Sequence, residues 1–214
     1  MLNLKKEKSI LDTGVKLIAG IDEAGRGPLA GPVVSVVVTL DLPTLIKISK
    51  IKELKQVKDS KLLTAKKREE LFDFIINNFT EVGIGVCDHE EIDRLNIFQA
   101  TFFCMKKALG ALKQKPDYIL LDGRSPIPNL SIHQENIVHG DRLVFSIAAA
   151  SIVAKVTHDR LIEQLAKDYP QYGFSSHKGY GTAEHLAALK KYGPTPFHRK
   201  SFGPVKEALK KSSN

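Results

Sequence analysis

Two apolar runs that lie close together near the N-terminus constrain the fold of this chain most. Two segments, residues 16–22 with Val15 counted as the start and residues 33–41, are rich in aliphatic and β-branched side chains, which is typical of strands. The residues between them, 25–32, include three glycines and two prolines, which favour turns. Strands joined by so short a connection pair antiparallel, because a parallel pair needs a longer crossover. The pattern predicts a hairpin with a wide loop.

Helical and strand patterns alternate after this hairpin. Residues 44–58 are basic and compatible with a helix. Thr64 can cap a helix over residues 65–78, and residues 81–87 read as a third strand. A long amphipathic helix over residues 88–113, with a break near Leu95 and Asn96, follows. This alternation predicts an α/β domain with a mixed sheet.

The second half of the chain continues the alternation and then loses its strands. Residues 118–123 form a buried strand that ends in an acid, and a loop over 124–135 leads to a short strand at 137–139. Residues 146–167 have helical spacing. The tail, residues 170–214, contains glycine-rich loops and one or two further helices, so we expect a C-terminal helical segment.

No linker imposes a domain boundary within the 214 residues. We therefore predict a basic N-terminal segment over residues 1–14 and one main domain over residues 15–204. The domain includes the helical segment at about residues 165–204, and residues 205–214 form a C-terminal tail. We expect the protein to act as a monomer.

Composition narrows the class of partner. Hydrophobic residues make up 43% of the chain and charged residues 26%, which is ordinary for a soluble globular protein. The net charge of +8 favours polyanionic partners such as nucleic acid, although a solvated basic surface would give the same value.

The N-terminus is too polar for a signal peptide, and no apolar run could span a bilayer. Cys87 and Cys104 lie in apolar runs as buried thiols, which fits a reducing cytoplasm.

Three acids lie at the ends of predicted strands. Asp22 closes the first strand, Asp122 closes a later one, and Asp141 follows another short apolar run. Because sites form beyond strand ends in open α/β sheets, these carboxylates could meet. Clustered carboxylates repel, and Mg²⁺ or Mn²⁺ bound by oxygen ligands removes that conflict. Glu23 can join only if the strand ends or twists there, since adjacent strand residues face opposite ways.

Each acid has an ordinary alternative, because an aspartate beside glycine is commonly a turn residue. The glycines of Gly25-Arg26-Gly27 let the backbone approach a ligand, and Arg26 could grip a phosphate, but a solvated turn has the same composition. Candidate contacts to a nucleic-acid backbone are Ser60 and Lys61, with Asp59 before them, and Lys178 and Tyr180 in the later glycine-rich stretch. We expect His158 and His177 to be polar surface residues without a metal role.

The motifs together resemble those of the bacterial ribonuclease HII family, in the family's order over about residues 16–204. The matching stretches are 20–33, Asp59-Ser60-Lys61, Leu121-Asp122-Gly123, Gly140-Asp141, Ala148-Ala149-Ala150-Ser151-Ile152-Val153-Ala154-Lys155-Val156, 177–182, and the late 193–199 with Ser201 and Phe202.

This resemblance implies a ribonuclease H-like fold in three layers, in which helices flank a mixed five-stranded sheet and a helical segment follows. It implies that Asp22, Glu23, Asp122 and Asp141 are catalytic and hold Mn²⁺ or Mg²⁺. It also implies that Gly25, Arg26, Gly27 and Tyr180 recognise the junction between a ribonucleotide and the next deoxynucleotide. The expected substrates are RNA–DNA hybrids and duplex DNA with embedded ribonucleotides, cut on the 5′ side of the ribonucleotide to leave 3′-hydroxyl and 5′-phosphate ends.

Three other functions are compatible with parts of the pattern. A related nuclease could act on long hybrids or on structured DNA. A non-catalytic nucleic-acid-binding module could keep the fold, although intact acids at all four positions argue against it. A glycosidase-like hydrolase could use Asp22 and Glu23 as acid and base, and dependence on a metal would exclude that mechanism.

Overall fold

The computed structural model describes residues 2–52, 56–57 and 60–212. Asp59 therefore lies outside the described residues, as does part of the helix predicted over residues 44–58. The predicted mixed five-stranded sheet with flanking helices is confirmed. Its strands lie in the order β3-β2-β1-β4-β5. They are β1 Ile18–Ala24, β2 Val33–Leu40, β3 Glu81–Cys87, β4 Tyr118–Asp122 and β5 His133–Ile137.

The described residues also form ten α-helices and two short 3-10 helices. The 3-10 helices are Ser60–Leu62 and Pro170–Tyr172. The α-helices are α1 Lys5–Leu11, α2 Leu42–Ser49, α3 Ala65–Asn78, α4 His89–Leu95, α5 Ile97–Gly110, α6 Gly140–Leu143, α7 Phe145–Asp168, α8 Phe174–His177, α9 Ala183–Tyr192 and α10 Gly203–Ser212.

Strand pairing brings two acid-bearing strand ends side by side. β1 and β2 form the predicted antiparallel hairpin, in which Asp22 lies opposite Val36. β1 pairs parallel with β4, with Ile21 opposite Leu121. Because these parallel strands end at the same edge of the sheet, the residues that follow Ile21 and Leu121 meet there. Those residues are the predicted acids Asp22 and Asp122.

The core has two sides because β2 is buried along its whole length. On one face of the sheet, Val36 and Val38 pack in a cluster with Phe145 and Ala149 of α7. On the other face, Val37 packs in a cluster with residues of α5. This burial on both faces produces the three layers and explains why the strand is a nearly continuous apolar run.

Local chemistry accounts for the helix boundaries that the sequence predicts. The Thr64 side chain accepts a hydrogen bond from the Lys67 amide at 3.2 Å, which caps α3 where predicted. The predicted break in the long amphipathic helix lies at Asn96, whose φ is 65°. Its side chain accepts hydrogen bonds from the Phe98 and Gln99 amides and so starts α5 in a new direction. The break is therefore confirmed.

The strand predicted at residues 137–139 is wrong. The strand in this region is β5, which pairs parallel with β4 and ends at Ile137. Val138 is 43% exposed, and His139 has a left-handed φ of 59° that turns the chain. β5 is the edge of the sheet and its side chains are only partly buried, so it lacks the apolar pattern on which the prediction relied.

Both ends of the described chain pack against the α/β layers. In α1, Ile10 and Leu11 join the core, and the buried Glu7 accepts a hydrogen bond from the Ser146 amide at 2.7 Å. This contact lies at the N-terminus of α7, where a carboxylate satisfies an amide that has no helical partner. In the helical segment, Tyr172 and Phe174 form a further apolar cluster with Ala30 and Ile162. Across the described ranges, no helix is both long and apolar enough for a transmembrane span.

Candidate active site

The four acids identified in the sequence line one cavity. It has a volume of about 400 Å³ and opens at the edge of the sheet where β1 and β4 end. Asp22 and Glu23 come from the end of β1, Asp122 from the end of β4, and Asp141 from α6. A second cavity, of about 360 Å³, shares Glu23, Arg26 and Asp122 with the first. Two of the acids, Glu23 and Asp122, are therefore accessible from both cavities.

Short hydrogen bonds hold the acids in place. The Glu23 amide donates to Asp22 Oδ1 at 2.7 Å, so the Asp22 carboxylate folds back over the strand end towards Glu23. This arrangement brings the two neighbours to one cavity although β1 continues to Ala24. The Gly140 amide donates to Asp122 Oδ1 at 2.6 Å and fixes the start of α6, the helix that carries Asp141, against the end of β4.

The electrostatics of the acids are unfavourable within the protein itself. Burial raises the pKa of Asp22 well above its usual range, and the nearby Glu23 and Asp122 raise it further. Burial also raises the pKa of Glu23, although Arg26 opposes this by placing Nη1 3.2 Å from Glu23 Oε1. On the other side of the cavity, Lys61 Nζ lies 3.7 Å from Asp141 Oδ2. The cluster therefore concentrates negative charge that two surface cations only partly offset.

A divalent cation fits the chemistry of this donor set. All the donors are carboxylate oxygens, the ligands that Mg²⁺ and Mn²⁺ prefer. Mutual repulsion between Asp22 and its neighbours is what a bound cation would relieve. Over the described ranges, no group of three or more His, Cys, Asp or Glu side chains is arranged to hold a metal ion.

The glycine-rich loop borders the same cavity. Gly25 has a φ of +91°, and a Cβ there would lie 2.4 Å from the His158 ring, so this position excludes other residues on two grounds. A Cβ on Gly27 would lie 3.1 Å from the Tyr180 ring. Tyr180 is 43% exposed and also lines the cavity. The loop and an accessible aromatic ring thus form one wall beside the acids.

The remaining predicted nucleic-acid contacts differ in position. Ser60 and Lys61 line the cavity, but Ser60 is buried and its Oγ lies 3.0 Å from Ser151 Oγ. Lys61 has a side chain that is 75% exposed. Lys178 is not among the described residues that line the cavity, and its Nζ donates to Ser175 O at 2.7 Å and pairs with Glu163. The structure therefore brings Lys61 to the acids and leaves Lys178 outside the cavity.

Two residues of α7 belong to the cavity without having been assigned to it from the sequence. Ser151 and Lys155 both line it, and a hydrogen bond from Ser151 lowers the pKa of Asp22. They are four residues apart and so lie on one face of the helix. Helical spacing within the Ala-Ala-Ala-Ser-Ile-Val-Ala-Lys motif could have identified this shared face.

The expectation that His158 and His177 are surface residues is wrong. His158 is fully buried on α7, with its Nδ1 3.2 Å from Asp159 Oδ1. His177 is 9% exposed, and its Nε2 lies 2.7 Å from Tyr172 O. Burial with specific polar partners was not visible in the sequence, because histidine is common both inside and on the surface of proteins.

Comparison with known proteins places this arrangement in a family. The sequence model described as "Ribonuclease HII" matches residues 19–205. The Ribonuclease HII of Clostridioides difficile is 49% identical over 211 residues, which cover 94% of this chain and 79% of that protein.

Two solved structures are also similar. The ribonuclease H2 of Pyrococcus horikoshii superimposes with a TM-score of 0.76 at 27% identity, covering 92% of this chain and 99% of the other. The RNase HII of Archaeoglobus fulgidus, solved in a complex with PCNA, has a TM-score of 0.70 at 26% identity and covers 87% and 95% of the two chains. With a family match along most of its length and a relative at about half identity, this chain belongs to the ribonuclease HII family and is a ribonuclease H enzyme.

Proposed function

We propose that this enzyme cleaves the RNA strand of RNA–DNA hybrids and cuts on the 5′ side of ribonucleotides embedded in duplex DNA. The products carry 3′-hydroxyl and 5′-phosphate ends, and the biological role is the removal of misincorporated ribonucleotides and RNA primers. The observation that carries the proposal is the single cavity in which four acids face a glycine-rich loop and an exposed tyrosine. The acids suit phosphodiester hydrolysis, and the loop and the ring suit the recognition of a sugar.

Asp22, Glu23, Asp122 and Asp141 are the proposed catalytic residues and would hold Mg²⁺ or Mn²⁺. When bound, such ions lower the pKa of water and stabilise negative charge on phosphate oxygens. The protein contributes the arrangement of the carboxylates, with Asp22 oriented by the Glu23 amide and Asp122 by the Gly140 amide. Ser151 adds a hydrogen bond to Asp22 that favours its ionised form.

The wall formed by the glycine-rich loop and Tyr180 is the proposed reader of the substrate. The 2′-hydroxyl distinguishes a ribonucleotide from a deoxynucleotide, and main-chain groups of Gly25, Arg26 and Gly27 are close enough to the cavity to bind it. The exposed ring of Tyr180 can pack against the neighbouring sugar. Lys61, and Lys155 from α7, can contact phosphates along the strand. Ser60 does not contact the substrate and instead holds Ser151 through a hydrogen bond between the two hydroxyls. Lys178 contacts only phosphates of the duplex that lie outside the cavity.

The proposal also covers the cellular compartment, the catalytic unit and the oligomeric state of the enzyme. The free, buried thiols of Cys87 and Cys104 suit a reducing cytoplasm. The catalytic unit is residues 15–204, with residues 1–14 and 205–214 as flanking segments, and it acts as a monomer on a nucleic-acid duplex. The basic net charge of +8 supports a polyanionic substrate.

The decisive experiment is cleavage of a duplex that contains one embedded ribonucleotide, with Mg²⁺ and Mn²⁺ titrated separately. We expect a single cut 5′ of the ribonucleotide, no cut in the matched all-DNA duplex, and no activity in EDTA. Cleavage that continues in EDTA would contradict the metal-dependent mechanism. Cleavage of long hybrids alone would reassign the enzyme to the related nuclease class.

Tyr180 provides a test of the proposed reader. Tyr180→Ala removes the ring beside Gly27, and we expect a loss of about tenfold in kcat/KM on the single-ribonucleotide duplex, as for a lost stacking contact. Tyr180→Phe retains the ring and should retain most of the activity. Unchanged kinetics in the alanine variant would remove Tyr180 from the recognition set.

A further inference from the structure

Arg199 is a large, fully buried side chain that the proposed chemistry does not use. It lies in a tail segment that runs beside the glycine-rich loop. The Arg199 amide donates to Leu29 O at 2.8 Å, the Gly31 amide donates to Phe197 O at 3.0 Å, and His198 forms an antiparallel bridge with Ala30. The backbone of the tail therefore already lies in register with the second half of the loop.

The Arg199 guanidinium joins the two ends of that loop. At the first end, Nη2 donates to Gly25 O at 2.6 Å and Nη1 donates to Arg26 O at 3.0 Å. At the second end, Nε donates to Gly31 O at 3.0 Å and Nη2 donates to Pro32 O at 2.9 Å. These four bonds all go to main-chain carbonyls, so the side chain sets the orientation of peptide groups at both ends.

The nature of this side chain matters for that role. Burial lowers the pKa of Arg199 to about 10, which still leaves it charged at neutral pH. A buried cation is costly unless its donors are satisfied, and here the carbonyl dipoles satisfy them. The planar fork of arginine can reach carbonyls on both sides, whereas a lysine ammonium is a compact point charge and cannot span them.

The orientation of two carbonyls fixes the orientation of two amides. The described residues contain no cis peptide bond, and in a trans peptide the C=O of one residue and the N–H of the next point in opposite directions. Since the carbonyls of Gly25 and Arg26 point at Arg199, the amides of Arg26 and Gly27 point away from it. Within the described part of the chain, neither amide donates to a protein acceptor. Both residues line the cavity.

We infer that Arg199 is a positioning residue for the ribose reader: it holds the carbonyls of Gly25 and Arg26 so that the Arg26 and Gly27 amides face the oxygen of a substrate 2′-hydroxyl. The inference rests on the proposed function and adds the group that orients its reader. Arg199 itself does not touch the substrate.

The test compares Arg199→Lys with wild type in binding, without metal and in EDTA so that no cleavage occurs. Two duplexes of the same sequence are titrated, one all DNA and one with a single ribonucleotide. We expect wild type to prefer the ribonucleotide duplex and Arg199→Lys to lose about tenfold of that preference, which corresponds to about 1.4 kcal/mol. Affinity for the all-DNA duplex should be unchanged, because Lys61 and Tyr180 remain in place.

Tyr172→Phe is the matched control. It removes one hydrogen bond to a main-chain carbonyl in the same C-terminal segment, that of Gly193, and keeps the ring that clusters with Ala30 of the loop. We expect a lower Tm and an unchanged preference for the ribonucleotide duplex. An unchanged preference in Arg199→Lys, or an equal loss in Tyr172→Phe, would overturn the positioning role. A wild-type protein with no preference would instead refute the proposed reader.

Amide hydrogen exchange in wild type tests the same geometry without a variant that has to fold. The Arg26 and Gly27 amides should exchange rapidly in the free protein, because they lack internal acceptors, and slow by more than about tenfold in the ribonucleotide duplex complex. Slow exchange of both amides in the free protein would show that they are already bonded and would overturn the inference.

Discussion

Two clusters of titratable side chains lie in different parts of this molecule and have opposite characters. The acidic cluster (Asp22, Glu23, Asp122 and Asp141) lines an open cavity, and the pKa values of Asp22 and Glu23 are raised. The histidine cluster (His177, His185 and His198) is buried in the C-terminal segment, and the pKa values of His185 and His198 are lowered, that of His198 to about 3.

The difference lies in how each cluster satisfies its own polar groups. In the histidine cluster, His185 Nε2 lies 3.0 Å from His198 Nε2, and the Thr195 amide donates to His198 Nδ1 at 2.9 Å. The neutral rings therefore meet their hydrogen-bonding needs internally. The acids instead repel one another, and a partner from outside the protein would relieve the repulsion. A perturbed pKa alone does not mark a functional site. A perturbed pKa does so when the charged groups line a cavity and repel one another.

The largest expected effect is the loss of kcat when the acidic cluster is disrupted. Asp22→Asn removes a carboxylate from the proposed metal site, and we expect kcat to fall by about a thousandfold or more, because metal stabilisation contributes several kcal/mol. Affinity for an RNA–DNA hybrid should be kept. Because the change also removes like-charge repulsion, metal-free Asp22→Asn should be more stable to urea by about 1 kcal/mol. Full activity in this variant would exclude Asp22 from catalysis.

The matching change in the histidine cluster should affect stability instead. His198→Leu leaves His185 Nε2 and the Thr195 amide without their partner, which should cost about 2 kcal/mol of the free energy of unfolding. Urea denaturation measures that loss, and kcat at a temperature where the variant is folded should change by less than about threefold. A large drop in kcat without a loss of stability would mean that the cluster serves the reaction directly.

The two clusters should also respond to pH with opposite signs. The folded-state pKa of His198 is depressed to about 3 from its ordinary 6.5, so between these values the unfolded chain binds more protons than the folded one. Its stabilisation is therefore complete above about pH 6.5 and is lost as the pH falls towards 3. For Asp22 the folded pKa is raised, so in metal-free protein its effect is to lower stability as the pH rises above the ordinary 3.8.

Urea midpoints measured from pH 3 to pH 7 would separate these contributions. His198→Leu should flatten the rise in stability between about pH 4 and 6.5, and Asp22→Asn should steepen it. The same slope in wild type and His198→Leu would mean that other groups govern the acid response.

The smallest expected effect concerns a cation at the rim of the acidic cluster. Lys61 is exposed and lies 3.7 Å from Asp141, so Lys61→Gln should weaken hybrid binding only about threefold at moderate salt. The slope of log Kd against log salt should fall by about one, as expected when one phosphate contact is lost. Lys178→Gln is the control, since Lys178 lies outside the cavity, and a greater loss there would reverse the assignment of the two lysines.

Features with local causes could be predicted from the sequence. Thr64 caps its own helix and Asn96 breaks one, and both effects act within three residues. Asp22 and Asp122 could be placed at strand ends because apolar strands precede them, whereas Asp141, expected after a strand, lies in α6. The edge strand β5 was misplaced because it is only partly buried and carries little apolar pattern. The burial of Arg199 could not be foreseen, since its acceptors lie far away in the chain, and neither could that of His158, which packs beside the distant Gly25.

The long span between Arg199 and its acceptors also bears on the order in which the molecule becomes competent during synthesis. Its hydrogen bonds to the glycine-rich loop join residues 167–174 positions apart in the chain. Strand β1 can pair with β2 as soon as both have left the ribosome, but the loop between them lacks its guanidinium anchor until the tail has followed. Contacts between distant residues form late because closing a long loop costs entropy. A nascent chain would therefore carry Asp22 and Glu23 long before it could orient a substrate beside them.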